Sequence, residues 1–125
     1  MKNAVNWFEI PVKNYERAKQ FYTTVTGYEI KDHHMPEQNV KYGMFPYDND
    51  NNGVGGGLIE AEGLNPTTDG PTIYLNAGND LSIALSKIEA AGGKIVIPKT
   101  DIGEHGFMAQ FIDTEGNRIA LHSFM

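Results

Sequence analysis

Near its start, the chain has a period of two in which Phe8, Ile10 and Val12 alternate with Trp7, Glu9 and Pro11, and this predicts a β-strand over residues 5–12 with two different faces. One face should pack into the core. The other face carries Trp7 and Glu9, and a plain apolar core has little use for a carboxylate. We therefore expect the Trp7/Glu9 face to carry the function. The residues of the core face are Phe8, Ile10 and Val12.

The spacing then changes to that of an amphipathic helix over residues 15–26. Asn14 should cap its first turn, because the side chain can accept a hydrogen bond from a free amide. Gly27 should end it in a left-handed conformation. Three further strands complete a βαβββ unit. These strands are predicted over residues 28–31, 40–46 and 54–61, and the apolar stripe of the helix consists of Ala18, Phe21, Tyr22 and Val25.

The same plan then repeats. Equivalent positions such as Val12 and Ala77, or Gly27 and Gly93, lie 65 or 66 residues apart. We therefore predict one α+β domain over residues 1–125, in which two βαβββ units form a curved mixed sheet, a half-barrel, with the helices outside. Unit one spans 1–62, the linker 63–70 and unit two 71–125. Unit two should contain strands at 72–77, 94–98, 107–113 and 117–124, and a helix capped by Asp80 that carries Leu81, Ala84, Leu85 and Ile88.

Composition removes several function classes. The chain has no cysteine, which excludes disulfides and thiolate metal sites and suits a reducing cytoplasm. The formal net charge is −6 without a basic cluster, so we expect no nucleic-acid or anionic-membrane partner. We also expect no membrane span, because no apolar run approaches ~18 residues. Asn3, Asn6 and Glu9 interrupt any signal-peptide core.

Two motifs carry a resemblance to a known family. The opening reads Pro-Val-x-Asn-x-x-x-Ala-x-x-Phe-Tyr from Pro11, and the close reads Phe-x-Asp-Thr-Glu-Gly-Asn-Arg-Ile-x-Leu-His from Phe111. Together with the doubled βαβββ plan, they resemble the vicinal oxygen chelate superfamily of glyoxalase I, bleomycin-resistance proteins and extradiol dioxygenases. The resemblance covers nearly the whole chain. It implies a pocket in the curved sheet and a homodimer.

The resemblance also implies where a divalent metal would bind. The matching positions here are Trp7, the run Gly55-Gly56-Gly57, Thr72 and Ala120. None is a good ligand, because metal sites of this type need imidazole or carboxylate donors. We therefore predict no metal and no other cofactor at the usual site. Asp48-Asn49-Asp50-Asn51-Asn52-Gly53 imitates the start of a calcium loop, but its twelfth position is Ile59, so we predict a turn.

A small-molecule pocket is the favoured function. Apolar walls with a few convergent polar groups are typical of such pockets. Glu9 and His122 are the candidate general bases, although the same two side chains could instead form a buried structural hydrogen bond, and Glu9 could pair with Arg118. The candidate ligand-binding residues are Trp7, Tyr42, Met44, Tyr74, Asn76 and His105.

Three hypotheses remain open at this point. The first is a glyoxalase/bleomycin-resistance-like protein that binds a small organic ligand. The second is an isomerase or lyase without a metal that uses Glu9 or His122 as its base. The third is a metalloenzyme, similar to lactoylglutathione lyase or a dioxygenase, with displaced ligands. If the chain is an enzyme, the resemblance favours a lyase or isomerase over a dioxygenase.

Overall fold

The computed structural model describes residues 3–125. These residues form eight strands and two α-helices in the predicted order. Short 3₁₀ turns at 36–38, 49–51 and 103–105 join some of them. The strands are β1 (Trp7–Pro11), β2 (Lys31–Asp32), β3 (Lys41–Met44), β4 (Gly55–Glu60), β5 (Tyr74–Asn76), β6 (Lys94–Asp101), β7 (Phe107–Ile112) and β8 (Arg118–Ser123); the helices are α1 (Tyr15–Thr26) and α2 (Ser82–Leu85).

The strands form two four-stranded sheets with the same internal order. The first is β1-β4-β3-β2 and the second is β5-β8-β7-β6. In each sheet the first and last strands of the unit pair in parallel, and the other neighbours pair antiparallel. This identity of order confirms the two βαβββ units and the α+β class predicted from the repeat.

Helix α1 has both predicted ends. The Asn14 side chain accepts a hydrogen bond of 3.0 Å from the Arg17 amide, and Gly27 follows the last turn at φ 76°. The predicted apolar stripe is buried, and Tyr15 joins it at the start of the helix.

Helix α2 is shorter than predicted, since it ends at Leu85. After Ser86, the amides of Lys87 and Ile88 bond three residues back, to Ala84 and Leu85, so the chain continues in tighter turns. Those turns still bury Ile88. Asp80 accepts a hydrogen bond of 2.9 Å from the Ser82 amide just before the helix.

One hydrophobic core joins the two units. It combines Ile10 and Leu58 of the first sheet with Phe111 and Leu121 of the second. The ring of Phe21 on α1 lies 5.8 Å from that of Phe111. Burial of these side chains therefore stabilises the arrangement of the two units as well as each unit alone.

The β7–β8 connection fastens the units through buried polar groups. Glu115 accepts hydrogen bonds of 2.9 and 2.8 Å from the amides of Lys13 and Asn14, and Arg17 Nε donates to it at 2.7 Å. Burial raises the pKa of Glu115, but the hydrogen bonds from Arg17 and Asn14 outweigh it, so the net pKa is lowered. The buried carboxylate of unit two thus serves as a cap for the helix of unit one.

Two further hydrogen bonds join the β7–β8 connection to unit one. The hydroxyl of Tyr22 donates to Asp113 Oδ2 at 2.6 Å, and the amide side chain of Asn117 donates to the Pro11 carbonyl at 2.7 Å. The residues that carried the sequence resemblance at the end of the chain are therefore structural. Within residues 3–125, no helix is both long and apolar enough to cross a membrane.

Candidate ligand-binding site

The candidate site of unit one lies on the sheet face turned away from α1. A Cβ added at Gly43 of β3 would meet Tyr15 of α1, so Gly43 faces the helix. Its neighbours Tyr42 and Met44 therefore point to the other face, because side chains alternate along a strand. Glu9 shares that face, because it and Met44 both pair with Gly57 of β4, and Trp7 shares it because it lies two residues before Glu9.

A chain of hydrogen bonds links three of the predicted residues. Trp7 Nε1 donates to the hydroxyl of Tyr42 at 2.7 Å. The same hydroxyl donates to Glu9 Oε2 at 2.7 Å. Tyr42 thus fixes the indole and the carboxylate at once, and it uses its only proton to do so.

The glycines of β4 make this arrangement sterically feasible. A Cβ at Gly57 would lie 2.5 Å from the Tyr42 ring and 2.7 Å from the Gly43 carbonyl. A Cβ at Gly55 would collide with the rings of Trp7 and Tyr47. The absent side chains therefore leave the space that the aromatic rings fill, which explains a glycine-rich strand without a phosphate loop.

Burial and charge determine the protonation of the Tyr42 hydroxyl. Burial is the main cause that raises the pKa of Tyr42 to about 12; the Glu9 carboxylate adds to it, and the hydrogen bond from Trp7 opposes it. Tyr42 is 5% exposed, whereas Glu9 is exposed. The second oxygen of Glu9 has no hydrogen bond or ion pair with residues 3–125. Glu9 is thus held by one oxygen and offers the other to solvent or a ligand.

Three other candidates line a hollow at the ends of β5 and β8. The hollow has a volume of about 470 Å³ and its walls include Tyr74, Asn76, His122 and Phe124. His122 Nε2 lies 2.6 Å from the His105 carbonyl, and because a carbonyl only accepts, Nε2 must donate. In the neutral ring Nδ1 is then free of a proton and can accept one. Asn76 accepts from the Gly78 amide at 2.9 Å, so part of its polar side chain is already occupied.

The alternative in which Glu9 pairs with His122 or Arg118 does not hold among residues 3–125. Glu9 is bonded to Tyr42, His122 to the His105 carbonyl, and Arg118 to the Gln110 side chain and the Thr68 carbonyl. Within residues 3–125, no hydrogen bond or ring contact joins the Trp7 group to the Tyr74 group. The alternation of side chains along a strand assigns a residue to one face of its own sheet. It does not predict the distance to a residue of the other sheet.

The usual metal positions of the superfamily do not fit a metal here. Trp7 uses its single N–H as a donor to Tyr42, and an indole has no lone pair to offer. Gly55 lies under aromatic rings, and Ala120 is buried without a donor atom. Thr72 would supply one hydroxyl. This donor set lacks the imidazole and carboxylate groups that divalent ions need.

Two features of this region escaped the sequence analysis. The ring of Tyr47 stands perpendicular to that of Trp7, with centroids 5.7 Å apart. Glu16, Asp32 and His34 converge on the protein surface, with ligand atoms within 4.8 Å of one another. The i, i+2 spacing of Asp32 and His34 could have predicted that these two side chains share a face. Glu16 comes from α1, and no sequence pattern connects it with them.

The surface cluster is already engaged in protein contacts. Asp32 accepts from the Tyr15 hydroxyl at 2.5 Å and from Lys19 Nζ at 2.9 Å, and these bonds lower its pKa. His34 Nδ1 accepts from the Tyr42 amide at 2.9 Å. The Asp32 Oδ2 and His34 Nε2 atoms remain, 3.7 Å from each other.

The architecture defines a class of protein. Two βαβββ units of equal strand order on one core are the plan of the vicinal oxygen chelate proteins. The chain belongs to the Glyoxalase/Bleomycin resistance protein/Dioxygenase superfamily, whose family model matches residues 4–121.

Two curated relatives are similar to the chain in sequence. It is 27% identical over 122 residues to proteins called putative glyoxylase CFP32 from Mycobacterium bovis and Mycobacterium tuberculosis. That match covers 93% of this chain and 44% of each relative, so the chain spans less than half the length of these curated relatives.

Solved structures share the fold at low sequence identity. Glyoxalase I from Zea mays has a TM-score of 0.74 at 20% identity, covering 94% of this chain and 45% of that chain. A glyoxalase/bleomycin resistance protein from Albidiferax ferrireducens T118 has a TM-score of 0.70 at 15% identity, covering 95% of this chain and 97% of that one. At these identities the likeness concerns the fold alone.

Proposed function

We propose that the chain binds a small organic ligand on the sheet face that carries Trp7, Tyr42 and Glu9. The hydrogen-bonded series of these three residues is the observation that carries the proposal. An ordered aromatic wall with one free carboxylate oxygen supplies both apolar contact and orientation. A purely structural role would not need Glu9 to be exposed with one oxygen unused.

The proposal includes no metal at the usual superfamily positions. Support comes from the side chains there, which provide an indole N–H donor, a glycine, one hydroxyl and an alanine. A homodimer is also part of the proposal, by resemblance. Met44 and His105 remain candidate ligand contacts, as do Tyr74 and Asn76 of the second sheet.

Ligand screening by thermal shift tests this function. A ligand that binds only the native state stabilises it by about 2.7 kcal/mol at a hundredfold excess over Kd. Trp7 is the only tryptophan, so its fluorescence reports directly on this face. Hits should shift the melting temperature and change this emission together.

Glu9→Gln provides the matched variant for the screen. Gln keeps an acceptor for Tyr42 and removes the charge. It should retain the fold and weaken the hits, whereas Glu62→Gln at another exposed carboxylate should change nothing. Hits that stabilise wild type and Glu9→Gln equally, without a change in Trp7 emission, would place the ligand elsewhere.

A second candidate function is catalysis without a metal by Glu9. One oxygen of Glu9 is anchored by Tyr42 and the other is accessible, which is the geometry required of a general base. Hits from the screen can be incubated in D₂O and followed by NMR. Exchange of a carbon-bound proton that Glu9→Gln abolishes would support catalysis, and binding without exchange would leave the protein a binder.

A further inference from the structure

We propose that the ligand of this face is an organic cation, whose ammonium group lies against Trp7 and Tyr47 beside Glu9. This inference rests on the proposed function and adds the chemical class of the ligand. The two rings stand at 87° to one another with centroids 5.7 Å apart. Perpendicular aromatic walls of this kind are suited to an alkylated ammonium, because each ring can turn its negative face to the cation.

The two rings are held in place before any ligand binds. Trp7 is oriented by the hydrogen bond from its Nε1 to Tyr42, and the rings of Trp7 and Tyr47 fill the space above Gly55. Tyr47 remains 44% exposed, so its surface is open to a ligand. A site that is ordered in advance loses less conformational entropy on binding.

Carboxylates flank the Trp7/Tyr47 corner, and Lys31 of the same sheet face lies at the opposite edge of the sheet. Glu9 lies two residues from Trp7 on the same face of β1, about 7 Å along the strand. Asp48 follows Tyr47 directly, and Asp50 lies in the same exposed turn. Within residues 3–125, neither aspartate nor Glu9 makes an ion pair.

A protein cation does not already occupy these rings in the part of the chain that the structure describes. The cation–ring contact found there is that of Lys99 Nζ over Phe107, at 4.7 Å from the centroid, on the second sheet. The Trp7/Tyr47 corner therefore combines open aromatic surface with unpaired carboxylate, and a neutral or anionic ligand would leave that charge uncompensated.

Choline and its uncharged carbon isostere, 3,3-dimethyl-1-butanol, are matched probes for the test. Binding is followed through the emission of Trp7. We expect choline to bind at least about tenfold more tightly than the isostere, since shape and apolar area are equal and only the charge differs. Glu9→Gln should weaken choline about tenfold, Tyr47→Leu should weaken it as well, and Glu62→Gln should leave it unchanged.

Equal binding of the two probes, or no binding of choline, would overturn the inference. If a variant fails to fold, salt dependence decides: choline binding to the wild-type chain should weaken between about 20 mM and 500 mM salt, and a constant affinity contradicts the proposal. If the thermal-shift hits on this face are neutral or anionic, the proposed ligand class is wrong but the proposed binding function stands. The binding function itself fails only if no ligand changes Trp7 emission.

Discussion

Tyr42 and Trp7 are 35 positions apart in the chain and are joined by a hydrogen bond of 2.7 Å from the indole Nε1 to the phenol oxygen. The phenol in turn donates to Glu9. One hydroxyl therefore orders both the aromatic and the charged part of the candidate site. Removing that hydroxyl tests the site without removing a ring.

Tyr42→Phe should lower the free energy of unfolding by about 1–2 kcal/mol, because Trp7 loses its acceptor and Glu9 loses its donor. Urea unfolding followed by circular dichroism measures the loss, and the emission of Trp7 in the native state should change. Tyr47→Phe is the control, since the Tyr47 hydroxyl has no hydrogen-bond partner within residues 3–125. Equal stability of the two variants would contradict this role of Tyr42.

Alkaline titration gives an independent test of the same hydroxyl. Burial first, and then the charge of Glu9, raise the pKa of Tyr42 to about 12, above the value of about 10 in the unfolded chain. Native Tyr42 therefore contributes stability fully below about pH 10, and this contribution is lost as the pH rises toward 12.

The measurement is the ultraviolet absorbance of phenolate, compared between wild type and Tyr42→Phe. Their difference should titrate near pH 12, or together with unfolding if the chain unfolds first. A difference that titrates near pH 10 while the protein remains folded would show that Tyr42 is not held as a buried donor.

Most of the fold could be predicted from the sequence because it follows from local periodicity and a repeat. The alternation around Glu9 and the stripe from Ala18 to Val25 each depend on neighbours only a few residues away. The end of α2 was missed, because two glycines at 92–93 marked a stop but not the tighter turns before it.

The candidate site could be predicted only in part. Its faces follow from alternation, so the placement of Trp7 and Glu9 on one face could be predicted, and Tyr42 lies on that face as well. Their hydrogen bonds depend on strand register, which pairs Glu9 with Gly57 and lets the ring of Tyr42 lie over that glycine, and no local pattern encodes that register. Whether Glu9 contacts His122 could not be predicted for a similar reason, since the contact depends on the placement of one sheet against the other.

Gly57→Ala should disrupt the site through this register. The new Cβ would lie 2.5 Å from the Tyr42 ring and 2.7 Å from a backbone carbonyl, and the backbone cannot move away as a side chain could. We expect a loss of about 1–3 kcal/mol in unfolding free energy and altered Trp7 emission. Gly70→Ala is the control, because its nearest neighbour is a methyl group of the exposed Thr67 side chain at 3.0 Å. Similar unfolding curves for the two variants would refute the steric argument.

Glu115→Gln should lower the stability of the fold without altering the candidate site. Gln retains one carbonyl for the amides of Lys13 and Asn14, but it loses the ion pair with Arg17, in which the Glu115 side chain is fully buried. We expect a loss of about 2 kcal/mol in the free energy of unfolding at neutral pH. Glu62→Gln, at an exposed carboxylate, should stay within about 0.5 kcal/mol of wild type.

The effect of Glu115 should also depend on pH. Its native pKa is lowered by Arg17 and the helix amides despite burial, so its contribution is present above the unfolded value of about 4.3 and is lost as the pH falls through the native value. Urea unfolding at a series of acidic pH values should show the gap between wild type and Glu115→Gln closing below about pH 4. A gap of constant size across that range would mean that the carboxylate acts through its shape and not through its charge.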